Sequence, residues 1–315
     1  MSASHSVPAT TSHWWKSPYL LLTATSLFWS LNWVIGRAVV GKIPPVALAY
    51  WRWMFALLFM LPFAIPQVRR CLPQIWQHRW VLILLGLVGT GFHNLFSYLG
   101  LNYTTATNGV MLNSAIPVMI IVLGALFFGQ RVSSGQVTGV IVSLAGVLAI
   151  LSKGHPETLA TFRFNVGDLI VLGSMLLWAL YTLMLKWRPD NIPPIAFLFV
   201  CSVAGLAGMT PVYAWELSTG VDIAWSPAVV AALVYVGLFP SFIAYIFWNK
   251  GVEQVGPSVA GLFVHLMPVF GSLLAWLFLD ERLQWFHFVG ISLILAGIWL
   301  TTRKTQQAIL PAGEE

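Results

Sequence analysis

Residues 139–146, GVIVSLAG, and residues 290–297, GISLILAG, each open on glycine and close on Ala-Gly, 151 positions apart. At the same offset Pro117 falls on Pro268, Arg131 on Arg282, and the Gly-Leu-Asn-Tyr stretch at Gly100 on the Gly-Val-Glu-Gln stretch at Gly251. Further upstream the offset slips by two. There Trp29 meets Trp178, Ile43-Pro44-Pro45 meets Ile192-Pro193-Pro194, and Pro62 meets Pro211. The second half of the chain therefore repeats the first.

Composition fixes the solvent. The chain is 58% hydrophobic and 8% charged, against about 25% charged in soluble domains. With a mean hydropathy of +0.81, its surface faces lipid, and the helices are buried in bilayer and in each other. The net charge of +6 is read as the Lys/Arg excess of cytoplasmic loops and not as a nucleic-acid signal. Cys71 and Cys201 have no metal-ligand spacing, and neither a metal nor a cofactor is expected. No cleavable leader is expected either, because the polar N-terminal stretch is followed by an apolar run long enough to span.

Reading in units of about 20 apolar residues gives ten spans, at 19–39, 46–65, 80–99, 104–128, 134–151, 167–187, 194–214, 227–248, 257–279 and 285–302. Pro44-Pro45, Ser133-Ser134-Gly135 and Pro189 to Pro194 punctuate the breaks. The expected fold is an all-α membrane protein. A tail (1–18) precedes a first five-helix repeat (19–151), and a second repeat (167–302) precedes a C-terminal tail (303–315). Five is odd, so the second repeat enters the membrane upside down relative to the first. Placing the N-terminus inside collects ten Lys/Arg on the cytoplasmic face and leaves five outside, which puts both termini in the cytoplasm. Trp14, Trp15, Trp76, Trp80, Trp215, Trp225 and Trp285 fall near span ends and read as interfacial anchors. Trp29 and Trp178 are mid-span. The spacing of Gly135, Gly139 and Ser143 lets helix backbones approach closely.

Ten spans in two halves, the Pro-Val-Phe stretch of the ninth, Leu-Asp-Glu-Arg-Leu at 279–283, the run at 290–297 and an arginine (Arg52) in the second span carry a likeness. Together they resemble the EamA family of the drug/metabolite transporter superfamily, and within it the bacterial aromatic amino acid exporters of the inner membrane. Gln130 stands in the first half where Glu281 stands in the second, so the acidic exit residue is not symmetric. The resemblance implies a central cavity lined by spans one, three, four, six, eight and nine, opened alternately to either side.

Polar groups in mid-span are costly and face a cavity or another helix. Trp29 with Asn32, and Trp178 with Tyr181, are spaced three apart, so each half points an aromatic and a polar group together. His93 and Phe96 share a face, and Phe92 adjoins it. These residues, with Asn113, Tyr245 and His265, are the candidate cavity lining. Such a lining is apolar with a few directed polar groups and suits a flat hydrophobic solute or a cationic one. Competing structural roles stay open: helix–helix hydrogen bonding for His93 and His265, and satisfaction of carbonyls freed by Pro117 for Asn113. Arg52, about 9 Å into its span at 1.5 Å per residue, is read as snorkelling to the outer interface beside Trp51 and Trp53. Pro117, Pro268, Gly89 and Gly91 are the candidate hinges.

No Asp or Glu lies well inside a span, so carboxylate proton relays are not expected, and the reading is facilitated export of aromatic or hydrophobic amino acids. A multidrug exporter of lipophilic cations is the alternative. An intramembrane enzyme is disfavoured: paired aspartates and a His-Glu-x-x-His helix are missing, and Ser97 with His93 shows no orienting acid. The expected partners are a small-molecule solute and the bilayer, with no nucleic acid, and the protein a monomer or weak dimer.

Overall fold

Pro44-Pro45 and Pro193-Pro194 each open a long helix, with proline at the first helical position, where its missing N–H costs nothing. The structure, a computed structural model, describes residues 17–155, 157, 165–279 and 282–309. Most of both tails, and the Asp280-Glu281 pair of the exit motif, lie outside them. Ten helices are long and apolar enough to cross a membrane: Pro18–Gly36, Pro45–Arg70, Arg79–Tyr103, Met111–Phe128, Ser134–Leu151, Val166–Trp187, Pro194–Ser218, Pro227–Val255, Pro257–Leu274 and Trp285–Thr302. We call them the first to tenth spans. They form two inverted five-helix repeats, and no strand occurs among the described residues. The tenth helix continues to Ile309, past its expected end.

Helix ends in lipid need internal partners for their free backbone groups. The Glu216 carboxylate, at the end of the seventh span, accepts the N–H groups of Val46 (3.0 Å) and Ala47 (2.7 Å) at the start of the second. An Asn165–Asp168 capping box starts the sixth span. Asp168 is fully buried and also accepts from the Thr104 hydroxyl at 2.5 Å.

Four spans depart from regular α-helix in their interiors, and they do so in repeat-related pairs. The third winds as a π-helix over Gly86–Phe92 and the eighth over Leu238–Ile243, segments that overlay at the offset of 151. Such wider turns leave carbonyls without their usual partners. The Thr90 and Ser241 hydroxyls, again repeat mates, donate back to Gly86 O (2.7 Å) and Val236 O (2.5 Å). The fourth span breaks at Ser114, between Ala106–Asn113 and Ala115–Phe128. The ninth breaks at Phe263–His265, a 3₁₀ turn. Pro117 and Pro268 follow these breaks by three residues each.

Residues that touch their own repeat mates mark the pseudo-two-fold axis. Asn94 Nδ2 donates to Tyr245 Oη at 3.0 Å, and His265 Nε2 lies 3.1 Å from Ser114 O, each pair 151 apart. The fifth and tenth spans pack self-complementarily beside this axis. A methyl group on Gly139 would lie 2.6 Å from Gly297 O, and one on Gly290 would lie 2.7 Å from Gly146 O. The sequence motif that disclosed the duplication is therefore where the two copies meet, and glycine is required there by close approach.

Candidate functional site

Trp29 and Trp178, repeat mates from the first and sixth spans, meet edge to face with centroids 4.9 Å apart. Trp248 and Tyr245 of the eighth span join them, at 5.1 Å from Trp29 and 5.2 Å from Trp178 respectively. These rings form an aromatic layer across the middle of the bundle. The edge-to-face contacts of Trp29 with Trp178 and of Trp178 with Tyr245 suit the ring quadrupoles, and Trp248 packs against both tryptophans at a tilt.

On one side of the layer lies a cavity with about 570 Å³ of non-atom space, part of it open to solvent. Its walls come from the end of the first span, the start of the second, the end of the third and the start of the fourth, with the sixth, eighth and ninth behind. Six of the residues singled out by sequence line it: Trp29, Asn32, His93, Asn113, Trp178 and Tyr245. Arg52, Tyr98, Trp33 and Ser97 line it too, and they were not among the sequence candidates.

Four candidates lie elsewhere. Phe96 is exposed on the outside of the bundle, with Phe92 6.4 Å away by ring centroid. A lipid-facing aromatic shares helical spacing with a cavity-facing one, and spacing alone does not separate them. Tyr181 sits behind Trp178 and donates to Asn249 Oδ1 at 2.9 Å. His265 is fully buried. Its Nε2 faces Ser114 O, so that nitrogen carries the proton, and Nδ1 accepts from the Ser143 hydroxyl at 2.7 Å. Both ring nitrogens are satisfied, and His265 ties the broken fourth and ninth spans to the fifth.

His93 is arranged differently. Its Nδ1 lies 2.8 Å from the Ser174 hydroxyl and 3.0 Å from Ser174 O; with that hydroxyl's proton committed to the His93 carbonyl, Nδ1–H is assigned as the donor to both. The Ser174 hydroxyl donates in turn to His93 O at 2.7 Å. The ring stacks at 4.8 Å from Trp178. In this neutral tautomer Nε2 is an acceptor, and it has no hydrogen-bond partner among the described residues. Asn113 keeps its Nδ2 donor unpartnered as well. It does not repair the Pro117 turn; instead the Ser114 hydroxyl bonds the Met111 carbonyl.

Arg52 corrects the snorkelling reading. It is 4% exposed. Nε donates to the Ser241 hydroxyl, Nη1 to Tyr98 Oη at 3.1 Å, and Nη2 to Pro240 O at 3.2 Å. Tyr98 Oη donates onward to Asn32 Oδ1 at 2.9 Å. Depth along one helix gave no sign of this, because the partners come from other spans: Tyr98 from the third, and Pro240 and Ser241 from the π-helical segment of the eighth. The one available signal was the repeat itself, which sets Arg52 against the neutral Cys201.

The candidate hinges are closely packed. A methyl on Gly89 would lie 2.2 Å from the Tyr181 ring, and one on Gly91 3.0 Å from Gly205 O. Across the aromatic layer a second cavity is lined by Gln130, Thr182, Lys186, Asn249 and Glu253. At its edge Arg188 pairs with Glu253 at 3.0 Å.

Ten spans in an inverted repeat, with cavities on both sides of a central aromatic layer, have the architecture of a secondary transporter. The comparisons agree: the chain belongs to the EamA-like transporter family, which matches residues 16–152 and 165–303, one match per repeat. It is 28% identical over 299 residues to an uncharacterized transporter of Archaeoglobus fulgidus, covering 92% of this chain and 98% of that one. It is 27% identical to the uncharacterized transporter YyaM of Bacillus subtilis, covering 89% and 92%. A WAT1-related protein of Arabidopsis thaliana is 22% identical, covering 90% and 89%. A solved crystal structure of a protein 18% identical shares the fold, with a TM-score of 0.74 over 93% of this chain and 99% of that one.

Proposed function

We propose that this transporter exports aromatic and hydrophobic amino acids across a bacterial inner membrane, down their gradient, with both termini in the cytoplasm. The observation that carries the reading is the pairing of an aromatic layer with a few unpartnered polar atoms in one cavity. A flat side chain would stack on Trp29 and Trp178. The ammonium group would donate to His93 Nε2, and Asn32 and Asn113 would orient the polar end.

Transport would proceed by alternating access, the outer cavity closing as its counterpart beyond the aromatic layer opens. Pro117, Pro268, Gly89 and Gly91 mark where the helices would bend or rock. Facilitation is supported by the lining of the first cavity, which holds no acidic side chain among the described residues, since carboxylates are a common proton relay; Asp190 and Glu253 line only the second cavity. Orientation is supported by the ten-to-five division of basic residues.

The test is uptake of radiolabelled tryptophan and phenylalanine into proteoliposomes holding only this protein, with and without an imposed pH gradient. Saturable uptake that equilibrates and ignores the gradient is expected. Accumulation only with the gradient would overturn facilitation and make His93 the first coupling candidate. Uptake of a lipophilic cation with no uptake of either amino acid would overturn the substrate assignment.

A further inference from the structure

We infer that Arg52 is the receptor for a carboxylate on the solute, and that this makes the cavity select aromatic carboxylates over aromatic cations. The inference rests on the amino acid reading above and deepens it.

A guanidinium in a dry interior is expensive unless an anion accompanies it. Arg52 is 96% buried (4% exposed), and its protein partners are a hydroxyl on Ser241, a hydroxyl on Tyr98, the Pro240 carbonyl and the faces of the Trp53 and Tyr98 rings at 5.9 and 5.8 Å, all neutral. No carboxylate lies within ion-pair distance of it among the described residues. Those three bonds use three of the five N–H donors of the fork. Two remain on a group that lines the cavity.

A second observation points the same way. Two other lining side chains hold buried polar atoms without partners, and both atoms are donors: Asn113 Nδ2 and Trp178 Nε1. Asn113 is 5% and Trp178 2% exposed. Buried polar groups are rarely left unpaired, and a wall offering several spare N–H groups and a net positive charge is complementary to an anion with lone pairs. A carboxylate beside a guanidinium makes charge-assisted, frequently bidentate bonds. Two acceptors without partners among the described residues, His93 Nε2 and Asn113 Oδ1, are left for an ammonium group. A lipophilic cation would gain the aromatic rings but meet the like charge of Arg52, which has no carboxylate beside it among the described residues.

The test compares three ligands of one ring: phenylalanine, phenethylamine (the ring and ammonium without the carboxylate) and 3-phenylpropionate (the ring and carboxylate without the ammonium). Equilibrium binding of each is measured on the purified full-length protein in nanodiscs. For the native protein, phenethylamine is expected to bind 10- to 100-fold more weakly than phenylalanine, the size of a hydrogen bond to a charged group, while 3-phenylpropionate keeps most of the affinity. In Arg52→Gln, phenylalanine and 3-phenylpropionate should weaken by that factor and phenethylamine should not. The native comparison stands even where the variant fails to fold. Equal binding of phenylalanine and phenethylamine by the native protein would overturn the role of Arg52 and leave the amino acid reading intact, as would an Arg52→Gln variant that weakens all three alike. Failure of all three ligands, with the protein shown to be folded, would overturn both.

Discussion

The half-site around Tyr98 and its repeat mate around Asn249 share a frame and differ in charge. Tyr98 bonds Asn32 across the third and first spans, and Tyr181 bonds Asn249 across the sixth and eighth, both at 2.9 Å. These are the same two positions in each half with the tyrosine and asparagine exchanged. Ser241 meets the Arg52 side chain, and its mate Thr90 meets the Cys201 backbone carbonyl at 3.0 Å, where Cys201 is the mate of Arg52. Trp29 Nε1 donates to Pro240 O at 3.0 Å. The equivalent carbonyl, Gly89 O, is taken by the Tyr245 hydroxyl at 2.8 Å, which leaves Trp178 Nε1 without a partner. Packing and backbone irregularity survived duplication in both halves, while the chemistry diverged: Arg52 and the spare donors of Asn113 and Trp178 lie on one side of the aromatic layer, and the Arg188–Glu253 pair, Lys186 and the spare Asn249 Nδ2 lie on the other. The departures from symmetry are thus the positions to test for function, and the symmetric contacts are the positions to test for folding.

Restoring symmetry in the wrong direction should do the most damage. Cys201→Arg places a guanidinium at a fully buried position, where Gly86 already packs against the Cys201 carbonyl. An unpaired buried ion costs several kcal/mol, and no monodisperse protein is expected on size-exclusion chromatography. Next comes the axis itself. Gly146→Leu or Gly290→Leu should lower the thermal unfolding midpoint through overpacking of about 1–3 kcal/mol or more. Gly173→Ala, whose added methyl would meet nothing nearer than Phe96 at 3.7 Å, should leave the midpoint unchanged.

Trp178→Ala should cut transport at least about ten-fold in well-expressed protein, consistent with the loss of one large stacking surface. Normal uptake would remove it from the site. The smallest effects separate the two Tyr–Asn pairs, each worth about 1 kcal/mol. Tyr98→Phe should weaken solute affinity by about five-fold, and Tyr181→Phe should leave affinity unchanged while lowering stability. Equal effects on affinity would mean that the two half-sites are not divided in the way the charges indicate.

Much of this frame was legible in the sequence, because lipid makes a span a simple count of apolar residues and the duplicated glycines and prolines fix the register. Trp29 and Trp178 were visible as a pair for the same reason. What helical spacing cannot supply is the direction a face points: Phe96 and His93 share a face by spacing, yet one meets the outside of the bundle and the other the cavity. Nor could depth along one helix reveal that Arg52 is held by carbonyl and hydroxyl groups of the eighth span. Those groups lie where the backbone winds as a π-helix, a feature with no periodicity of its own. For His265 the sequence left lining and helix–helix hydrogen bonding open for a related reason. Its partners, Ser114 and Ser143, belong to two other spans, and only the packed bundle brings them to its two nitrogens.

The most direct test of whether this cavity receives the solute is chemical protection. Ser97 lines it, is part-buried, and accepts a cysteine with little change of shape; the native Cys71 and Cys201 are both buried. The rate at which a small membrane-impermeant thiol reagent modifies Ser97→Cys is measured in proteoliposomes with increasing phenylalanine. Protection that saturates with the same half-maximal concentration as transport is the predicted result. Modification at a rate indifferent to phenylalanine, in a variant that still transports it, would contradict the assignment of this cavity as the solute site.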